Sequence, residues 1–435
     1  MDGVTKRDNC RLCHSKNLTL VMPLAPTPLE DQFLKFDDLI DQPFYPLDVY
    51  FCEDCYHLQN LHIVNPDLIY KKYTYRTSVN PGLVQHFKDY AEKIDGFIPP
   101  ESFVIDIGSN DGTLLKQFKQ KGHRVFGVDP AQDIADEANE AGILTRCDFL
   151  TVKVAKDIVD KLGQANLVCA NNVFAHADDL DEIVESIKIL LKDDGLFVFE
   201  CSYLLDMIHP NKMLIDVINH DHLSHHSVIS LVNFLNGHGL ILVDVEKINT
   251  KGGSIRCFVR KNKEFFTGTL KIFPFLLNED ILKDRNIYSN FYISILAIKN
   301  RLKEYLDKEV LAGKTILGYG ASCTTTALMC QFCLEDRLYY LVDDNILKKD
   351  TRSPANYSLM VRDKIDFSST GKKTYPKRLV IVILAHLYAD EIIKKNQDFL
   401  EAGGKFVIPL PKIKIVSRET TTYIETEINY FEHFL

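Results

Sequence analysis

The chain has no tryptophan among its 435 residues and only six methionines, so its apolar bulk rests on 26 Phe, 19 Tyr and the aliphatics. At 46% apolar and 26% charged residues, the composition still suffices for packed cores and argues against disorder. No apolar run approaches the roughly 20 residues that cross a bilayer, and the opening MDGVTKRDNCRLC lacks an apolar leader. A cytoplasmic protein with no membrane contact is expected. Positive charge is not in excess either: 51 Lys and Arg stand against 60 Asp and Glu, a net charge of −9. That balance disfavours tracking along nucleic-acid phosphates and fits small-molecule chemistry. There are no short-period repeats and no low-complexity tracts.

What is present is cysteine, 11 in all. In a cytoplasmic chain of this length they do not read as a disulfide framework, so each is a metal ligand, a reactive thiol or a small core residue. Four fall in two knuckles, Cys10-Arg11-Leu12-Cys13 and Cys52-Glu53-Asp54-Cys55. Each C-x-x-C presents two sulfurs from one turn, and four thiolates satisfy Zn2+ with no position left for water. The expected zinc is structural, a staple for a Pro-broken segment too small to bury its own core. Cys330 and Cys333 share the spacing but lack a second pair, and read as packing on a helix.

The length suggests two or three domains. From Glu101 onward, strands alternate with helices: SFVIDIG, HRVFGVD, NLVCANNV and LFVFECSY are separated by amphipathic segments. A parallel sheet covered on both faces follows. After a charged helical stretch, Asn278 to Lys308, the segments TILGYG, YYLVDD, KRLVIVILA and KFVIPLP predict a second, smaller parallel sheet. The expected boundaries are a zinc-binding domain over 1–75, a central domain over 76–275, a C-terminal domain over 276–420 and a tail over 421–435.

VIDIGSNDGTLL ends one strand and opens a helix, with Asp106, Gly108, Asn110, Asp111 and Gly112 in the turn. The glycines allow close backbone approach, whereas the carboxylates oppose a pyrophosphate, so a cationic or zwitterionic nucleoside suits the loop better. Asp129 ends the next strand, where an acid can take both ribose hydroxyls. NNVFAH follows the fourth strand.

This arrangement resembles the S-adenosylmethionine-dependent methyltransferases. The resemblance implies a Rossmann-like central domain that binds S-adenosyl-L-methionine, with Asp106, Gly108, Asn110, Asp111 and Gly112 in its loop. It further implies Asp129 on the ribose and Asn171 and Asn172 at the methionine end. Asp148 stands where an acid often faces the adenine amino group, and is equally well a plain strand end.

NHDHLSHHS, Asn219 to Ser227, packs four His into seven residues after the fifth strand. Imidazole is the usual proton acceptor near neutrality, and a neighbouring carboxylate can orient it. A metal site from the same cluster matches no familiar ligand spacing. The order of zinc knuckles, VIDIGSNDG, NNVFAHADDL, FVFECSYLLD, NHDHLSHHS, KGGSIRCFV and GYGA resembles, over nearly the whole chain, the sugar C-methyltransferases that act on carbon 3 of nucleotide-linked 4-keto-6-deoxyhexoses. Their Tyr-His-Glu-His segment corresponds here to Asn-His-Asp-His. The resemblance implies His222 as general base, Asp221 in place of Glu, and Asn219 in place of Tyr at the substrate. Tyr75 and Ser78, in YKKYTYRTSVN, resemble that family's sugar-facing linker, and a linker packed on the sheet is the equal alternative. Lys251 and Gly252 form a turn near the pocket or a mere hairpin.

The terminal Gly318-Tyr319-Gly320-Ala321 resembles half a dinucleotide-binding unit, with Tyr319 expected at the substrate and Asp343 and Asp344 ending the next strand. Cys323-Thr324-Thr325 departs from the family's Lys-bearing pattern, and Ala385-His386-Leu387 stands where relatives tend to have Ala-Trp-Asn. The expected whole is an α/β monomer that uses S-adenosyl-L-methionine and structural Zn2+ on a nucleotide-sugar substrate in branched deoxysugar biosynthesis. Methylation of sugar oxygen or nitrogen, or a non-catalytic zinc and nucleotide binder, are the alternatives.

Overall fold

The structure, a computed structural model, describes residues 3–38, 43–70, 75–261, 269–365, 376–426, 428 and 434. The chain divides into two compact units: residues 1–19, 51–204 and 223–283 form the first, and residues 20–50, 205–222 and 284–435 the second.

The first unit is organised by runs of β-branched and aromatic residues too continuous for a half-exposed sheet. Helix α1 (Pro81–Asp95) starts where Asn80 accepts the N–H of Leu83 at 3.1 Å and proline takes the first turn. Strand β1 (Phe103–Ile107) is buried at all five positions. Helix α2 (Thr113–Gln120), β2 (Arg124–Asp129), α3 (Gln132–Glu140), β3 (Thr145–Cys147) and α4 (Val152–Leu162) follow. Then come β4 (Ala165–Asn171), α5 (Leu180–Leu190) and β5 (Leu191–Ser202). Ser227 and Ser230 form a capping box for α6 (Val228–Gly237), before β6 (Ile241–Ile248) and β7 (Ser254–Arg260).

The seven strands lie in the order β6-β7-β5-β4-β1-β2-β3. β5, β4, β1, β2 and β3 are parallel, whereas β7 runs antiparallel to β5 and to β6. The order reverses between β1 and β4, which opens a crevice at their C-terminal ends. Tyr90 and Ile94 of α1 and Leu115 and Phe118 of α2 pack on Val104, Leu167 and Val198 of the sheet, all buried. Each such side chain contributes on the order of 1.5–3 kcal/mol by leaving water, which fixes the strand ends that carry the site.

In the second unit, α7 (Asn286–Leu311) precedes β8 (Thr315–Tyr319), α8 (Cys323–Gln331), β9 (Leu341–Val342) and β10 (Val361–Arg362). β11 (Leu379–Ile383), β12 (Lys405–Ile408), β13 (Ile413–Val416) and β14 (Thr421–Ile424) complete it. The sheet order is β10-β9-β8-β11-β12-β13-β14. Its first five strands are parallel and the last two antiparallel. The residues expected as a tail thus begin with an edge strand, and the charged helical stretch Asn278 to Lys308 opens with a short turn over Asp280–Lys283 and continues as α7. Among the described residues, no helix is long and apolar enough to cross a membrane.

Candidate functional site

The two cysteine knuckles converge. The four sulfurs of Cys10, Cys13, Cys52 and Cys55 lie within 4.8 Å of one another, with Cys10 to Cys55 and Cys13 to Cys52 at 3.5 Å. A tetrahedron with Zn–S bonds of about 2.3 Å has edges of about 3.8 Å, so the set fits zinc and is far too open for disulfides. Each knuckle is a tight turn: the N–H of His14 reaches the Cys10 carbonyl at 3.0 Å and that of Tyr56 the Cys52 carbonyl at 2.9 Å. His14 and Tyr56, each just after its second Cys, adopt left-handed backbone. The strand Leu58–Asn60 then pairs antiparallel with Ser224–His225. Cys330 is buried on α8, as packing predicts, whereas Cys333 lies just beyond the helix and is exposed, so it does not share that role.

The glycine loop at the crevice is built for close approach. Gly108 has φ +65°, and a Cβ there would meet Val173 Cγ2 at 2.7 Å. Gly112, also left-handed, caps α2. Asp106 is buried, its Oδ1 has no hydrogen-bond partner among the described residues, and burial, followed by the charge of Asp129, pushes its carboxyl up to about 8. Asp129 accepts the N–H of Asn110 at 2.8 Å and of Ala131 at 3.0 Å, and burial raises its carboxyl. Both side-chain polar atoms of Asn171, and Ser109 Oγ, are buried without a hydrogen-bond partner among the described residues. Asn172 is left-handed and donates its N–H to the Glu200 carbonyl at 2.8 Å. Asp148 accepts Arg146 at 3.0 Å.

Two expected loop residues turn outward to another task. Asn110 Oδ1 accepts Thr77 N–H at 2.9 Å and its Oγ1 at 3.1 Å, while Nδ2 donates to the Tyr75 carbonyl at 3.1 Å. Asp111 accepts the N–H of Ser78 at 2.8 Å. Arg76 pairs with Glu137 through two bonds, of 2.7 and 3.0 Å. The linker bearing Tyr75 and Ser78 is therefore tied to the glycine loop residue by residue. Lys251 and Gly252, both at positive φ, form the turn between β6 and β7.

The four histidines separate by environment. In the second unit His220 is buried, meets Thr27 Oγ1 at 3.0 Å, and is pushed by burial down to about 4. His222, half-buried, donates from Nδ1 to the Val217 carbonyl at 2.6 Å. Asn219 Oδ1 accepts the N–H groups of Asp221 at 3.1 Å and His222 at 3.2 Å, so Asn219 shapes the turn that carries the imidazole. In the first unit His225 meets Asn60 Oδ1 at 3.2 Å, and His226 donates to the Phe174 carbonyl at 3.0 Å. Among the described residues the His cluster forms no metal-binding group. In the terminal module Tyr319 donates to Asp344 at 2.8 Å, and Asp343 takes the Ala321 N–H at 2.6 Å.

Comparison with known proteins bears on the whole chain. Residues 10–70 match a zinc binding domain model, 83–245 a methyltransferase domain and 249–411 a C-methyltransferase C-terminal domain. C-methyltransferase NovU of Streptomyces niveus is 31% identical over 428 residues, 97% of this chain and 99% of that protein. The chain belongs to this C-methyltransferase family. Similar solved structures include an S-adenosylmethionine-dependent methyltransferase from Anabaena variabilis, with 16% identity over 40% of this chain and 83% of that one, TM-score 0.34. Another is the magnesium protoporphyrin IX methyltransferase of Synechocystis with bound S-adenosylhomocysteine, with 17% identity, 41% and 83% coverage and TM-score 0.32.

This C-methyltransferase uses S-adenosylmethionine and binds zinc, and the residues present fit both. S-adenosylmethionine carries an ammonium and a sulfonium, and a buried carboxyl with an unpartnered oxygen, together with the unpartnered amide of Asn171, is what such a cation lacks in water-free surroundings. Sequence reasoning missed a buried network: Glu200 accepts Arg256 at 2.7 Å and His86 at 2.8 Å. Its signal was a charge within each of two apolar strands, FVFEC and SIRCF.

Proposed function

We propose that this C-methyltransferase transfers the methyl group to carbon 3 of a nucleotide-linked 4-keto-6-deoxy sugar, with His222 as the base. The carrying observation is the 2.6 Å bond from His222 Nδ1 to the Val217 carbonyl. A ring that donates from Nδ1 keeps its lone pair on Nε2, the tautomer a general base needs. A proton on carbon next to a ketone is acidic because the charge left behind spreads to oxygen. His222 Nε2 takes that proton, and the resulting enolate carbon forms the new bond. When bound, S-adenosylmethionine would supply an electrophilic methyl to that carbon and leave as S-adenosylhomocysteine. Tyr75 and Ser78, on the tethered linker, Asn219 and Asp221 beside the base, Lys251 and Gly252 in the hairpin turn, and Tyr319 are proposed at the sugar nucleotide. Asp106, Gly108, Gly112, Asp129, Asp148, Asn171 and Asn172 are proposed to hold the cofactor, with Asn110 and Asp111 acting on the linker.

The reading is tested by incubating the enzyme with 13C-methyl S-adenosylmethionine and a panel of nucleotide 4-keto-6-deoxy sugars. NMR of the product should show the labelled methyl bonded to sugar carbon. A label on oxygen or nitrogen refutes C-methylation of this substrate.

Two binding experiments check the cofactor residues. Asp129→Ala should weaken S-adenosylmethionine binding about 10–100-fold, since a hydrogen bond to a charged group is worth about 1.5–3 kcal/mol. An unchanged Kd by calorimetry removes Asp129 from the site. Asp106, with its carboxyl near 8 rather than 3.8, is protonated at pH 7 in the free protein. A cation bound beside it lowers that value, so binding at pH 7 should release a proton, and affinity should rise with pH up to about 8. Calorimetry in buffers of different ionisation enthalpy measures the release, which Asp106→Asn should abolish. Equal release by the variant would assign the proton elsewhere.

A further inference from the structure

The base turn of the second unit is anchored by a buried pair that the family comparison does not explain. Asp216 sits in the short turn Ile215–Val217, against which α8 packs. His386 lies just after β11, where the N–H groups of Leu384 and Ala385 both reach the Tyr319 carbonyl, at 2.9 and 3.1 Å. His386 Nε2 is 3.3 Å from Asp216 Oδ1, and the two side chains are 3% and 4% exposed. The contact lacks hydrogen-bond geometry, and neither atom has a hydrogen-bond partner among the described residues, so the two face each other as a close polar pair. Two polar groups withdrawn from water at this cost are worse than hydrocarbon for packing alone, so the pair's value lies in what it holds.

What it holds is the residue after Asp216. The Val217 carbonyl receives His222 Nδ1–H at 2.6 Å and Asn219 Nδ2–H at 3.3 Å, so its position sets both the heading and the tautomer of the imidazole. We propose that His386 is a positioning residue: through Asp216 it fixes the Val217 carbonyl and so aims His222. The proposal rests on His222 being the base. It assigns a role to His386, a buried residue that the proposed reaction does not otherwise use.

The test measures kcat and KM for methyl transfer by the zinc-loaded full chain, comparing His386→Gln, His386→Phe, Asp216→Asn and His222→Ala, each with its S-adenosylmethionine affinity. His386→Phe keeps ring volume without a donor, and His386→Gln keeps a donor at similar reach. His386→Phe should lower kcat about 10–100-fold, the scale of a misplaced catalytic group, with KM changed less than about twofold. His386→Gln should restore kcat to within about threefold of wild type. Asp216→Asn, nearly isosteric, should fall with His386→Phe and therefore serves if the Phe variant does not fold. The opposite order, Phe tolerated and Gln impaired, shows a packing role and overturns the proposal, as does wild-type kcat in Asp216→Asn. Activity retained by His222→Ala overturns the base reading itself, and the proposal with it. Activity lost in His222→Ala but unchanged in His386→Phe overturns only the role of His386.

Discussion

His222→Ala should lower methyl transfer by about 10²–10⁴-fold, the range a positioned general base contributes, while S-adenosylmethionine still binds. The effect is large because the neighbouring imidazole cannot stand in: His220 is buried and pushed down to about 4, with Thr27 at 3.0 Å. The affinity should hold because the residues proposed for the cofactor belong to the other compact unit, in the loop after β1 and at the ends of β2 and β4. Single-turnover transfer and calorimetry on the same preparation give both numbers. Loss of cofactor binding in proportion to activity would mean that the variant is simply misfolded, and His222→Gln, which keeps size and a side-chain donor for the Val217 carbonyl, then carries the comparison.

Zinc removal should be nearly as damaging, through the fold. Arg11 lies between ligands Cys10 and Cys13, and its buried guanidinium bonds to Asp178 at 3.0 Å, to Gln59 Oε1 at 3.3 Å, to the Leu223 carbonyl at 3.2 Å and to the Asn60 carbonyl. The metal therefore sets the knuckle that seats Arg11 on the loop after β4. Structural zinc contributes about 10–16 kcal/mol of apparent binding free energy at pH 7, comparable with the stability of a whole domain. Dialysis against a strong chelator, or Cys10→Ser, should lower the thermal midpoint by at least about 10 °C and abolish transfer, with one zinc per chain in the native protein by atomic absorption. An unchanged midpoint after complete metal removal would contradict a structural zinc.

The features legible in the sequence were those whose chemistry is local. C-x-x-C spacing, a glycine turn after an apolar strand and an acid at the next strand end each act within a few residues: the four cysteines cluster, the glycine turn joins β1 to α2, and Asp129 ends β2. What spacing could not show was partnership over distance. Asn110 and Asp111 looked like loop ligands, but their side chains meet Thr77 and Ser78, 33 positions away. Likewise His220, His222, His225 and His226 are one motif in sequence and four environments in space: burial pushes His220 and His226 down, His225 meets Asn60, and His222 is held by the Val217 carbonyl. The Arg256 to Glu200 pair is hidden in the same way: strand alternation places each residue, and only strand pairing brings them together. The edge strand Thr421–Ile424, exposed at three of its four residues, carries no apolar alternation to announce it.

The most direct test separates proton removal from methyl transfer. The enzyme is held with S-adenosylhomocysteine and the nucleotide 4-keto-6-deoxy sugar in D2O, and the sugar C3–H signal is followed by NMR. Wild type should wash deuterium into carbon 3 with no methyl donor present, and His222→Ala should leave that hydrogen in place at the rate of buffer alone. Equal exchange by the two proteins, or none by a wild type that methylates the same sugar, would contradict a His222-generated enolate.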